Sequence, residues 1–253
     1  MSLRKIYILT ILLCSAWSVS RVNAQSLAEQ AGEAYQKGDY SKAVELYEQS
    51  GEQDGTSAAY FYNLGNAYYK CGLYPNAILN YERSLLLDSD NADTRFNLEM
   101  AQARIADKIE PLGTFFLVQW STAVRHLFSS NVWAVIAVVA FLLFLAGVVL
   151  YFFVDKVVLR KVGFFAGLLA VLVAIGANHF ASEQKERIIH RDSAIIFAPT
   201  ITVKSSPSES GTDLFVLHEG TKVFLMDRVG EWSEIRLEDG NRGWIPTDKL
   251  EVI

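Results

Sequence analysis

The sequence predicts a multidomain membrane protein: all-α stacked hairpins, then a two-helix transmembrane hairpin, then a small all-β barrel. Three observations point there. A pattern of aromatic, glycine and alanine residues between Tyr35 and Ser84 recurs after 34 positions. Two long uncharged apolar runs follow it. Beyond them, short β-type runs alternate with turn residues up to the last residue.

The 253-residue chain is 51% hydrophobic and only 20% charged, a balance that places membrane segments in it rather than one large soluble core. What remains outside those segments is two soluble pieces of roughly 60 to 100 residues, below the usual size of an enzyme domain. Residues 1–24 read as an export signal. Arg4 and Lys5 precede the apolar run from Ile6 to Ala16, and Val22-Asn23-Ala24 offers small residues for cleavage before Gln25. Arg21 cuts the run short of a full span, and bulky Leu13 argues against lipidation at Cys14. Without this segment and its Arg4, Lys5 and Arg21, the net charge falls from −5 to −8, which argues against nucleic-acid binding. Cys71 is then the one remaining cysteine, so neither an intramolecular disulfide nor a cysteine metal site is expected. It falls at a repeat turn and reads as a small packing residue.

Val132 to Val154 is 23 residues without a charge, and Val162 to Phe180 is 19. At about 1.5 Å per residue each crosses a hydrocarbon layer of about 30 Å. The loop between them, residues 155–161, holds Lys156, Arg160 and Lys161, and a short positive loop stays cytoplasmic. Both soluble parts then emerge on the periplasmic side of a bacterial inner membrane, the side the export signal also demands. Asn178 and His179 sit at the outer end of the second span, where headgroups and water satisfy them, rather than at mid-membrane where a proton relay would need them. Within residues 109–131, Phe116, Trp120, Val124 and Leu127 recur at helical spacing, with Gln119, Arg125 and His126 elsewhere round the helix. That pattern suits a helix in the outer membrane interface, or a linker helix packed on the repeats.

Residues 25–108 form the repeat region, in units of about 24–57 and 58–91 with a capping helix over 92–108. Tyr35, Gly38, Tyr40, Ala43, Tyr47, Glu48 and Ser50 recur as Tyr69, Gly72, Tyr74, Ala77, Tyr81, Glu82 and Ser84. A fixed period of this size marks stacked helical hairpins. Gly38 and Gly72 supply turn conformations closed to other residues, the alanines allow close helix approach, and the tyrosines fill the space between hairpins. The unit resembles the tetratricopeptide repeat: Leu64, Gly65, Tyr68, Ala77, Tyr81 and Ser84 stand at that family's spacings. Gln30, Ala31 and Ala34 replace the leucine, glycine and tyrosine in the first unit, so that copy is degenerate or capping; the proline usual at the repeat's close is missing, with Ser89 near that point. The resemblance implies a peptide- or protein-binding solenoid with Tyr62, Asn66 and Tyr69 on its groove, Asn63 alongside, and Phe96, Asn97 and Arg104 extending it. An asparagine amide clamps a peptide backbone through one donor and one acceptor; the alternative is that these side chains merely cap, pack or face water. Two and a half hairpins are a thin solenoid, and either dimerisation or docking on the membrane-facing helix would supply the missing burial.

Residues 181–192 read as a charged linker and 193–253 as a β module. Ile201 to Val203, Lys222 to Met226, Trp232 to Leu237 and Arg242 to Ile245 are the clearest strands, with a tight turn at Asp239-Gly240. About five strands are expected. The module resembles the bacterial SH3 (SH3b) domain through Val203 to Pro207, Glu219 to Val223, Gly230-Glu231-Trp232 and Asp239-Gly240 followed by Gly243-Trp244-Ile245; Lys204-Ser205 departs from the usual pattern. Trp232 and Trp244 are the contact candidates this implies, for extended protein segments or cell-wall peptide. For Trp244 a role in the barrel core is the preferred reading; for Trp232 core and contact are evenly placed.

The order of parts, the stretch Gly211 to Thr221 and the hairpin Asp239 to Pro246 make the whole chain similar to the BatE-like proteins of bacterial aerotolerance (Bat) operons. That resemblance implies an oxidative-stress complex with von Willebrand factor A domain membrane proteins and a MoxR-type ATPase. Two non-catalytic readings follow: a scaffold for protein partners, or a peptidoglycan sensor or tether. An enzyme is not expected. His126, His179, His190 and His218 are dispersed, and no phosphate loop, nucleophile with its base or metal cluster is legible. Neither cofactor nor metal is implied.

Overall fold

A computed structural model describes residues 26–54, 56–110, 113, 116–125 and 127–253. The expected export signal, residues 1–24, and His126 lie outside the described residues. The helical part comprises α1 (Leu27–Gln36), α2 (Tyr40–Asp54), α3 (Ala58–Lys70), α4 (Tyr74–Leu87) and α5 (Ala92–Gln102). Its helices begin where the sequence supplies caps. Ser26 and Glu29 form a reciprocal capping box on α1, while Ser57 and Asn91 accept from the amides of Tyr60 and Thr94. Gly38 and Gly72 hold φ of 81° and 77° at the two hairpin turns, a region that penalises any Cβ. Ala43 and Ala77 are fully buried between paired helices. The Tyr81 ring lies directly on Gly65, so close that a Cβ there would sit 2.8 Å from the ring.

The expected capping helix over 92–108 ends early, at Gln102. Residues 103–110 leave the helix and run against the C-terminal module: Ile105 joins the helical core and Ile109 the β core. Tertiary contact overrides the helix-forming sequence there.

The short helix α6 (Phe116–Arg125) precedes α7 (Ser130–Phe153) and α8 (Val157–His190). Both α7 and α8 are long and apolar enough to cross a membrane. Their outward faces carry large exposed apolar side chains, with Val135 at 62% and Leu169 at 64%, an arrangement that needs an apolar surrounding rather than water. The helices touch along glycines: a Cβ on Gly147 would lie 2.7 Å from the Gly163 carbonyl oxygen and 2.9 Å from Gly167 Cα. The turn between them is shorter than expected, since α8 already starts at Val157.

The helix also continues through most of the predicted linker 181–192, as far as His190. Charged residues here are good helix formers, and this end is anchored. Arg125 pairs with Glu183, and Gln184 Nε2 donates to the carbonyls of Arg125 (2.7 Å) and Phe128 (3.1 Å). Trp133 Nε1 donates to the Arg125 carbonyl at 3.0 Å, and its ring packs on Phe128 and Phe180. So α6 is braced on the outer end of the hairpin.

The C-terminal module is one antiparallel sheet of seven strands in the order β3-β2-β6-β5-β4-β1-β7. These are β1 (Ser193–Ile196), β2 (Thr200–Lys204), β3 (Asp213–His218), β4 (Lys222–Val229), β5 (Trp232–Arg236), β6 (Arg242–Pro246) and β7 (Leu250–Val252). It wraps one core that includes Val203, Leu217, Val223, Ile235 and Ile245. Seven strands replace the expected five: β3 forms a hairpin with β2, while β1 and β7 pair with each other and β1 with β4 across long stretches of chain, which local alternation does not reveal.

The two soluble modules interlock. Ala194 and Ile196 face the sheet's own core, whereas Ile195, between them, is buried with Ile253 in the helical core. Asp107 ties the junction: its carboxylate accepts from the His218 amide (2.7 Å) and Thr221 Oγ1 (2.7 Å) and meets His218 Nδ1 at 2.7 Å. Lys222 pairs with Glu82, and Arg83 donates to Glu251 and to the Val252 carbonyl. Burying an isoleucine contributes about 1.5–3 kcal/mol, against about 1 kcal/mol or less for an exposed ion pair. The isoleucines therefore hold the modules together, and the polar contacts set their register.

Burial works to raise the Asp107 carboxyl, but the hydrogen bonds from Thr221 and from the His218 amide and ring outweigh it and hold it below the usual value. A lowered folded value means the stabilisation is complete above the ordinary carboxylate pKa of about 4 and is lost as pH falls through the folded value. Accordingly, Asp107→Ala should weaken the junction by about 1–3 kcal/mol at neutral pH, read as faster amide exchange at β1 and His218. The difference from the parent should shrink in acid, where the neutral carboxyl keeps only uncharged hydrogen bonds. A second expectation concerns the hairpin: Gly147→Ile forces α7 from α8 and lowers the thermal midpoint of the detergent-solubilised chain.

Candidate functional site

On the helical module α1, α3 and α5 border a groove of about 280 Å³. Tyr62, Asn66 and Tyr69 stand on one face of α3, four and three residues apart, and all three line it. Phe96 and Asn97 enter from α5. Of the residues the sequence singled out, Asn63 and Arg104 do not line the groove. Asn63 is one position off the α3 face, and Arg104 lies past the end of the shortened α5.

The groove floor is a hydrogen-bonded cluster. Tyr81 Oη and Asn97 Nδ2 both donate to Asn66 Oδ1 at 2.8 Å, and Asn97 Nδ2 also lies 3.4 Å from Tyr62 Oη. Burial, with the neighbouring Tyr35, Tyr62 and Tyr69 phenols, pushes the Tyr81 phenol well above its ordinary value, so it stays a donor. Burial and then the hydrogen bond to Glu48 raise Tyr68 likewise. Asn66 spends its oxygen and Asn97 one amine hydrogen on each other. Among the described residues Asn66 Nδ2 and Asn97 Oδ1 have no partner, which leaves one donor and one acceptor for a guest. At the mouth Phe96 is 62% and Met100 41% exposed.

Tyr35, Lys70, Tyr81 and Met100 also line the groove. The 34-residue period carried the signal for Tyr35, which is the copy of Tyr69, and helical spacing from Phe96 carried it for Met100. Tyr81 was read as filler between hairpins; it fills that space and also reaches the groove with its hydroxyl.

On the β module, Gly243 and Ile245 are buried and point inward, so Trp244 stands on the outward face of β6. That corrects the preferred reading of Trp244 as a core residue: strand alternation from Ile245 puts it outside. It lies opposite Lys204 on one side and Glu234 on the other. Trp232 shares this outward face, opposite Val229 and Pro246. Both tryptophans are half-buried. The edge strand β3, beyond β2, carries Leu214 and Val216, each 48% exposed.

Residues 33–72 and 65–103 match the family profile described as TPR repeat, and residues 199–251 match that described as bacterial SH3 domain. The chain carries tetratricopeptide repeats and a bacterial SH3 domain. Both are interaction modules, typically without catalysis. The tetratricopeptide match covers the groove helices α3 and α5 and the Tyr35 end of α1. The SH3 match covers both tryptophans. Partners of the repeats are proteins; domains of the SH3 type are also able to take cell-wall peptidoglycan. Of the four histidines, His218 is held at the junction by Asp107 and His179 is exposed near Glu183.

Asn66→Ala removes the shared acceptor and strands the Tyr81 hydroxyl, a buried donor. Stability should fall by about 1–3 kcal/mol, measured by urea unfolding followed through tyrosine fluorescence. Asn63→Ala, outside the groove, should fall within about 0.5 kcal/mol of the parent.

Proposed function

We infer that this protein is a non-enzymatic, membrane-anchored scaffold whose tetratricopeptide groove holds an extended segment of a partner protein. The observation that carries this reading is the open donor and acceptor on Asn66 and Asn97, set among tyrosines and beside the exposed Phe96. A peptide backbone offers the complementary acceptor and donor at one residue, and an apolar side chain of the guest completes the contact on Phe96 and Met100. α7 and α8 anchor it as two spans of a bacterial inner membrane. Lys156, Arg160 and Lys161 at their turn are cytoplasmic, so the repeats and the SH3 domain are periplasmic. Resemblance to BatE-like proteins supports a place in an aerotolerance complex with von Willebrand factor A domain proteins and a MoxR-type ATPase.

A second reading has its own support. Trp232 and Trp244 on one outward face suit a cell-wall peptide and make the SH3 domain a peptidoglycan tether.

A photo-reactive residue at Phe96 or at Trp244, activated in intact membranes and read by mass spectrometry, separates the two. The scaffold reading expects protein adducts from position 96 that Asn66→Ala abolishes. The tether reading expects muropeptide adducts from position 244. Adducts that persist in Asn66→Ala would overturn the groove assignment. Orientation is tested separately by alkaline phosphatase fused after Ile253, which should be active.

A further inference from the structure

A space of about 1050 Å³ lies where the repeats, the apolar hairpin and the SH3 domain meet. Arg95, Arg125, Arg191, Lys222 and Arg236 all line it. Two of these charges are neutralised, Arg125 by Glu183 and Lys222 by Glu82. The Arg95 guanidinium donates to the Ser89 carbonyl, and that of Arg236 stacks 4.8 Å over the Phe224 ring. Arg191 is exposed, and at φ 29° it is the one non-glycine residue with positive φ among those described. Arg95, Arg191 and Arg236 therefore face the cleft with only Asp192 as a further acid. This positive patch stands out in a chain of net charge −5.

The other walls are of a different kind. Leu85, Leu86, Leu87 and Leu127 form an apolar strip, with Leu87 42% and Leu127 58% exposed. Ser129, Ser130 and Gln184 place the base of the cleft at the outer end of the apolar hairpin. If that hairpin spans a bilayer, this is headgroup level. A free anion would satisfy the arginines and leave the leucines wet. A molecule with an anionic phosphate on an apolar body satisfies both.

We propose that the cleft binds an anionic phospholipid, its phosphate on Arg191 and Arg236 and its glycerol and upper acyl carbons along Leu87 and Leu127. Guanidinium forks suit a phosphate through paired charge-assisted hydrogen bonds. The bound lipid would touch the hairpin, the repeats and the SH3 domain at once, and so fix the soluble unit against the membrane.

The inference rests on the spanning reading of α7 and α8, and the test keeps the two apart. The full chain, purified in a neutral detergent, is titrated with phosphatidylglycerol, with phosphatidylcholine of the same acyl chains, and with inorganic phosphate. Thermal midpoint and retained lipid by native mass spectrometry are read. Phosphatidylglycerol should raise the midpoint and remain bound, while the other two should do neither. Arg191→Ala with Arg236→Ala should weaken binding about tenfold, as loss of charge-assisted contacts requires; if the double variant misfolds, Arg236→Gln alone is read. Arg160→Gln, at the opposite end of the hairpin, should bind as the parent does. Equal binding of phosphatidylcholine, inorganic phosphate as effective as the lipid, undiminished binding in the arginine variants, or equal loss in Arg160→Gln would each overturn the proposal. Release of the native protein from membranes by alkaline carbonate would instead overturn the spanning reading, and the micellar titration would still report on the cleft.

Discussion

A strand of a small curled sheet ordinarily keeps one face wet, and β1 does not. Ala194 and Ile196 fill the sheet's own core while Ile195 inserts into the helical core beside Ile253. Much else in the structure depends on this double burial. It covers the open side of a solenoid too short to bury its own hydrophobic face. It also turns two interaction modules into one body, with Asp107 and the Lys222–Glu82 pair fixing how they meet. Gly220 belongs to the same constraint: its φ of 85° and its contact with Ile105, where a Cβ would come within 2.5 Å, admit no side chain.

The membrane end repeats this logic with different chemistry. Glycines let α7 and α8 approach until backbone touches backbone, which serves where no hydrophobic effect drives helices together. Above them, Trp133, Gln184 and the Arg125–Glu183 pair gather the carbonyls at the end of α6. These carbonyls have no helical partner and must be satisfied by side chains. The bracket leaves little slack between the apolar helices and the two folded modules. The basic cleft lies in this confined junction, whereas the peptide groove lies on another side of the repeats, away from the SH3 contact. The two sites are physically separate.

The groove shows how far residue type and spacing reach. The tetratricopeptide resemblance implied Tyr62, Asn66 and Tyr69 on the groove, and the 3.6-residue helical period does place all three on one face of α3. Phe96 and Asn97 came from extending the pattern to the next helix. Asn63, expected alongside, and Arg104, expected to extend the groove, both stand outside its lining, for different reasons. One is a single position off the face, a difference of about 100° round a helix, and the other follows a helix end that long-range packing moved. The shared acceptor on Asn66 was not legible, since Tyr81 and Asn97 reach it from different helices.

By itself the sequence determined the kinds of element and their order: repeat hairpins, two apolar helices and a β module. Those choices follow from local periodicity, glycine and cap positions, and runs of uncharged residues, all properties of neighbours along the chain. Only the tertiary structure decided where α5 stops, that α8 runs on through a charged segment, that Trp244 faces outward, and which strands complete the sheet. It alone placed Asp107 against His218, 111 residues away, and brought the arginines of the repeats and the SH3 domain to one cleft. Such contacts join residues with no spacing rule between them, and their energy comes from apolar area buried only once the modules have met.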